Sequence, residues 1–144
     1  MARRVTDEDD DRMTAYISHT SVDCRDAYTL AAWWCSVLDY IDDPDDPNLP
    51  GHDECLIQSR DRVHRVLFIE VPEPKQGKNR IHFDLFPRTG TRDEELARLI
   101  DLGAKPIDDL RKPDGTGWVV LADPEGNEFC ILRSDAERAA SAAT

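Results

Sequence analysis

The chain has 144 residues, about one domain, and this length allows a buried core without disulfides or a structural metal. Its formal net charge of -12 argues against nucleic acid and anionic membrane surfaces as partners. It has no apolar run of membrane-spanning length, no secretory signal pattern and no C-x-x-C pair among its four cysteines, so we expect a cytoplasmic protein with reduced thiols.

The first half of the chain predicts one helix and three strands. Residues 1–12 are mostly charged, and we expect them to be disordered. Residues 13–23 are rich in β-branched and aromatic side chains that alternate with polar ones, which predicts a strand. Residues 27–40 carry apolar side chains at helical spacing after Asp26, a good capping residue, which predicts an amphipathic helix. The further elements of this half are a proline- and aspartate-rich loop at 42–51 and strands at 54–59 and 65–71.

The second half repeats this order after a proline- and glycine-containing connector at 72–79. Residues 80–86 predict a strand. Residues 91–102 predict a helix, because Thr91 and Glu94 form a capping-box pattern. The further elements are a strand at 105–110, hairpin strands at 117–122 and 128–133 around the turn DPEGN, and a tail at 135–144 that is frayed or forms a short surface helix.

The two halves therefore read as two βαβββ modules of an α+β fold. His19 and His82 occupy matching places, since each lies in the middle of a predicted strand just ahead of a helix. Modules of this kind pack their helices on one side of a sheet and leave the other side concave. We therefore expect the two histidines to lie near one pocket.

Three stretches carry a family resemblance: HTSVDCRDAYTLAAWWCSVLDY at 19–40, EPKQGKNRIHFDLF at 73–86, and the ending DPEGNEFCIL. With them the chain resembles the vicinal oxygen chelate superfamily and, within it, the glyoxalase-like domains. The resemblance implies a domain at 13–134 made of modules at 13–71 and 80–134. It further implies a U-shaped mixed-sheet barrel around a cleft, and a homodimer in which modules can be exchanged.

In metal-dependent members of this superfamily, the first and last strands of each module supply the ligands. The resemblance assigns these positions to His19 and His82, with Glu70 as the candidate on the last strand of module one. The last position of module two is usually a glutamate and here is Cys130. Cys130 is either a thiolate ligand, as zinc accepts, or a small buried apolar side chain. The cofactor is accordingly one divalent ion of zinc, nickel, manganese or iron, or none.

Two functions remain open. The first is a glyoxalase-like lyase or isomerase on a small molecule, with His19 and His82 as catalytic residues and metal ligands. The alternative is a metal-free, ligand-sequestering protein of the bleomycin-resistance kind. The missing glutamate at position 130 argues against the first function, and the matched histidines argue against the second. The candidate ligand-binding side chains are those of Phe68, Asp84 and Trp118.

Overall fold

The structure is a computed structural model that describes residues 13–142. The first module forms a four-stranded sheet of order β1-β4-β3-β2, in which β1 runs parallel to β4 and the other neighbours are antiparallel. Its elements are β1 (Thr20–Cys24), α1 (Ala27–Leu38), β2 (Ile41–Asp42), β3 (Glu54–Gln58) and β4 (Arg65–Glu70).

The second module repeats this topology with the order β5-β8-β7-β6, in which β5 runs parallel to β8. A further helix, α3, follows the second sheet. The elements are β5 (Asp84–Leu85), α2 (Arg92–Asp101), β6 (Lys105–Asp109), β7 (Val119–Ala122), β8 (Glu128–Ile131) and α3 (Asp135–Ala142). None of the helices within residues 13–142 is long and apolar enough to cross a membrane.

Local sequence explains where the two module helices begin. The Asp26 carboxylate accepts a hydrogen bond from the Thr29 N–H at 3.0 Å and caps α1. The Thr91 hydroxyl accepts one from the Glu94 N–H at 3.2 Å and caps α2 in the same way. Helix α1 ends at Asp39, whose left-handed φ of 55° stops it before the predicted end at residue 40.

The apolar faces of both modules share one core. Trp34 on α1 is 3% exposed, and its ring makes edge contacts with Phe83 and Phe129 of the second module. Side chains of both sheets and both helices belong to the same cluster of buried residues. Because strand side chains alternate, each sheet turns one face to this core and the opposite face, called here its open face, away from it.

The α+β class with two βαβββ modules is confirmed, and the two sheets are not closed into a barrel. Two predicted strands are shorter in the structure. The strand predicted at 13–23 begins only at Thr20, and the one predicted at 80–86 is reduced to β5. A strand persists only where a neighbour pairs with its backbone, and the β1–β4 register starts at Thr20 opposite Val66. The disorder predicted for residues 1–12 falls outside the described residues.

Candidate functional site: a histidine, aspartate and cysteine cluster beside a cleft

Three side chains that can bind a metal meet on the open face of the second sheet. Asp84 on β5 stands opposite Cys130 on β8, and His82 lies two residues before Asp84 on the same face. The His82 Nδ1 and Asp84 Oδ1 atoms are 2.9 Å apart. One ligand atom from each of the three residues lies within 4.8 Å of the others.

The members of this cluster differ in exposure. His82 and Asp84 are exposed, whereas Cys130 is 6% exposed. Burial and, to a smaller extent, the negative charge of Asp84 together raise the pKa of the Cys130 thiol to about 11. The free thiol is therefore protonated at neutral pH, and a metal that binds there must displace its proton.

The structure places the other two candidate ligands elsewhere. His19 is exposed just ahead of β1, where its Nδ1 atom lies 3.0 Å from the Ser18 hydroxyl oxygen. Glu70 ends β4 and accepts a hydrogen bond from the Ala27 N–H at 3.2 Å, at the start of α1. Within residues 13–142, neither belongs to the group of three metal-binding side chains.

Of the two candidate ligand-binding aromatic residues, one is buried in the core and the other is exposed beside β7. Phe68 is 0% exposed and belongs to the core below α1. Trp118 is 42% exposed and directly precedes β7. Of the residues proposed for ligand binding, Asp84 is the one that the structure brings into the cluster.

A cleft of about 1090 Å³ opens beside this cluster and is shared by both modules. Strand β1, the start of α1, the connector around Lys75 and the turn at 123–127 surround it. His82 is the member of the cluster that is among the lining residues of the cleft, and Asp84 and Cys130 do not line it.

Residues of the DPEGN turn at 123–127 form and stabilise one wall of the cleft. The sequence predicted only a tight turn here and gave these side chains no role at the site. Asp123 is 2% exposed, and its carboxylate accepts hydrogen bonds from the Trp34 indole and from the Asn127 amide and backbone. The Glu125 carboxylate accepts hydrogen bonds from the backbone N–H groups of Arg25 and Asp26 at 2.7 and 3.2 Å. The aspartate and asparagine of the motif, four residues apart, are the sequence signal for such a side-chain-stabilised turn.

Hydrogen bonds between Asn79 of the connector and Glu128 of β8 hold the connector against the second sheet. The Asn79 N–H donates a hydrogen bond to the Glu128 carboxylate, and the Glu128 N–H donates one to the Asn79 side-chain oxygen. The Lys75 ammonium lies 3.2 Å from the same carboxylate. Burial acts to raise the pKa of the Glu128 carboxyl, but the backbone N–H groups and the Lys75 ammonium that face it together outweigh burial, so the pKa is lowered.

Comparison with known proteins gives a consistent result at the level of the fold. Residues 19–132 match the family model described as a glyoxalase-like domain. No sequence among the curated proteins matches the chain.

Three solved structures illustrate the likeness. The fosfomycin resistance protein FosX from Mesorhizobium loti is 18% identical with a TM-score of 0.62, covering 89% of this chain and 99% of its own. A FosX variant from Listeria monocytogenes, in complex with Mn(II) and 1S,2S-dihydroxypropylphosphonic acid, is 15% identical with a TM-score of 0.63. The match covers 92% of this chain and 100% of the FosX chain. Lactoylglutathione lyase from Agrobacterium tumefaciens is 19% identical with a TM-score of 0.56, and the match covers 86% of this chain and 96% of the lyase chain.

Proposed function

The chain belongs to the glyoxalase-like domain family, and on this premise we propose that it is a small-molecule enzyme of lyase or isomerase type with a divalent metal site. One observation carries the proposal. His82, Asp84 and Cys130 present nitrogen, oxygen and sulfur ligand atoms within 4.8 Å of one another, at the edge of a cleft large enough for a small molecule.

This set of donors fits zinc well. Zinc is held in catalytic sites by three protein ligands of these types, with a further position open to water or substrate. The FosX variant in complex with Mn(II) shows that a protein of this fold holds a divalent ion. Nickel, manganese and iron are the other candidates, and the thiolate is the feature that favours zinc among them.

The residues of the chain then have separate roles. A divalent metal held by the cluster would polarise an oxygen atom of the bound small molecule. Asp84 fixes the orientation of the His82 ring through the hydrogen bond at Nδ1 and leaves Nε2 free to bind or to exchange a proton. Burial of Cys130 keeps water away from the sulfur.

His19 enters the proposal through a second copy of the chain. The helix-bearing faces of the two sheets share the internal core, so the open faces point away from it. A homodimer that joins the open face of the first sheet to that of the second sheet in another copy would carry His19 towards the cluster. Large apolar side chains exposed in the segment ahead of β1 and along the second sheet support such an interface: Tyr16, Ile17, Ile107 and Trp118. Light scattering coupled to gel filtration tests it, and a monomer at micromolar concentration removes His19 from the site.

A second candidate function is supported by the buried thiol. Cys130 with a pKa of about 11 behaves as a small apolar side chain in the absence of metal. The His82–Asp84 pair is hydrogen bonded directly, so each side chain satisfies the other. These observations favour a metal-free protein that sequesters its ligand.

Metal titration separates the two functions. Protein purified without an affinity tag is treated with a chelator, titrated with zinc, and examined with cobalt(II) for the charge-transfer absorption of a thiolate ligand. The enzyme proposal expects about one ion per chain and loss of binding in each of His82→Gln, Asp84→Ala and Cys130→Ser, because each variant removes one of the three ligands.

Matched controls are Cys35→Ser on α1 and His52→Gln in the loop before β3, which remove the same chemical groups elsewhere. Both should bind zinc as the unmodified protein does. Full binding by Cys130→Ser would exclude Cys130 as a ligand. Absence of binding in every protein would refute the metal site and leave the sequestering function.

A further inference from the structure

The floor of the cleft is apolar. Leu30 and Trp34 of α1 are 1% and 3% exposed, and Phe83 packs against the Trp34 ring at a centroid distance of 5.7 Å. Val22 and Ile81 line the cleft on either side, and Ile81 is 82% exposed. Because Leu30 and Trp34 are almost fully buried, the apolar surface open to a ligand is that of Val22, Phe83 and Ile81, and an apolar or aromatic body that covers it gains free energy from its removal from water.

The rim of the cleft is acidic. Six carboxylates line the cleft against two cationic side chains, Arg25 and Lys75, which leaves a formal charge of -4 with His82 neutral. The carboxylates are those of Asp23, Asp26, Glu73, Asp123, Glu125 and Glu128. A cleft lined mostly by one sign of charge concentrates ligands of the opposite sign.

Two of these carboxylates remain available to a ligand. Asp26, Asp123, Glu125 and Glu128 are engaged in capping, turn or connector hydrogen bonds. By contrast, the carboxylates of Asp23 and Glu73 are exposed and have no hydrogen bond or ion pair within residues 13–142. The guanidinium of Arg25 is likewise unpaired among these residues and reduces the negative charge only in part.

We propose that the cleft binds an amphiphilic organic cation, with its apolar body over Val22, Phe83 and Ile81 and its protonated amine at the rim near Asp23 and Glu73. The inference names the ligand class of the proposed small-molecule site and rests on that function for the identity of the site. It also sets this chain apart from the Listeria FosX variant, whose bound molecule is a phosphonic acid. An anionic ligand would have to overcome the charge of the rim.

The test uses three probes that share one body and differ in the charge of the head group: 4-phenylbutylamine, 4-phenylbutanol and 4-phenylbutyrate. Each is titrated into ¹⁵N-labelled full-length protein, with binding followed by amide chemical shifts. The titrations are run with chelator and again with zinc. We expect the amine to bind most tightly and the acid least, with shifts at Val22, Trp34 and Phe83. Added salt should weaken binding of the amine and leave binding of the alcohol unchanged.

Paired variants test the contribution of the rim. The double variant Asp23→Asn and Glu73→Gln should weaken amine binding about fivefold and leave alcohol binding unchanged, because exposed charges act weakly but selectively. Retained alcohol binding shows that this variant is folded. The control is Glu54→Gln with Asp101→Asn, which removes two exposed carboxylates that do not line the cleft. It should bind the amine as the unmodified protein does.

Several results would overturn the inference. Equal binding of all three probes would mean that the cleft recognises only apolar surface. Tighter binding of the acid, or amine shifts confined to residues outside the cleft, would exclude the cation site. Absence of binding together with a dimer that buries β1 would make the cleft an interface between copies. Because one series of probe titrations is run with chelator, failure of the probes to bind leaves the zinc result unaffected, and a failed zinc titration leaves the probe result unaffected.

Discussion

The indole Nε1 of Trp34 donates a hydrogen bond to Oδ2 of Asp123 at a distance of 3.0 Å, and both side chains are buried. The bond joins α1 of the first module to the turn before β8 of the second. The two residues are 89 positions apart in sequence. Their contact therefore fixes the wall of the cleft relative to its floor.

Removal of the Asp123 carboxylate should destabilise the whole chain. Asp123→Ala leaves the buried Trp34 indole and the Asn127 amide without an acceptor, and we expect the free energy of unfolding to fall by about 3 kcal/mol. Urea unfolding measures the change. In a Trp34→Phe background the cost of Asp123→Ala should be smaller, because one of its partners is already absent. Additive effects would contradict a direct interaction.

Gly117 is the glycine that tolerates a side chain least. It has a φ of +92°, and an added Cβ would lie 2.0 Å from the carbonyl oxygen of Leu110 on the neighbouring segment. Gly117→Ala should lower the free energy of unfolding by about 3 kcal/mol, because backbone must move. Gly51→Ala is the matched control, with a φ of +89° and no atom within 4 Å, and should cost about 1 kcal/mol. Thermal melts that shift equally would contradict the clash.

Gln58 offers a stabilising substitution. It is 3% exposed, and its Nε2 has no hydrogen-bond partner within residues 13–142. The same is true of Nε of Arg65, directly opposite it on β4. Gln58→Met removes the cost of the unpaired buried amide and should raise the free energy of unfolding by about 1 kcal/mol. Urea unfolding tests this. A lower stability would show that the amide is paired in solution, with water or with Arg65.

Alkaline pH should destabilise the chain through its cysteines. Burial raises the pKa of Cys24 from 9.0 to about 12, so the folded state keeps a proton that the unfolded state loses. This contribution to stability is complete below pH 9 and is lost as pH rises towards 12. Unfolding midpoints measured from pH 8 to 11 should fall less steeply for Cys24→Ala than for the unmodified protein. Parallel curves of unfolding midpoint against pH for the two proteins would contradict the raised pKa of Cys24.

Much of the fold follows from local sequence. The caps at Asp26 and Thr91 and the apolar spacing behind them predict both module helices to within two residues at each end. These signals act between residues three or four apart, so they need no knowledge of the tertiary structure. Strand length depends on distant partners instead, which is why the strands predicted at 13–23 and 80–86 are longer than those observed.

The candidate site also combines features that follow from local sequence with features that depend on the tertiary structure. Period-two alternation alone places His82 and Asp84 on one face of a strand, and the structure has them hydrogen bonded. The face occupied by Glu70 depends on the register of β4, which pairs it with Cys24 and directs it to the start of α1.

Local sequence was enough to predict the two repeated modules, the helix boundaries to within two residues, and the tight turn at 123–127, because each rests on short-range capping, spacing or turn chemistry. The tertiary structure alone decided that Asp84 stands opposite Cys130, that Trp34 meets Asp123, and that the cleft has an acidic rim over an apolar floor. These relationships join segments far apart in the chain, and only strand register and the packing of one module on the other bring them together.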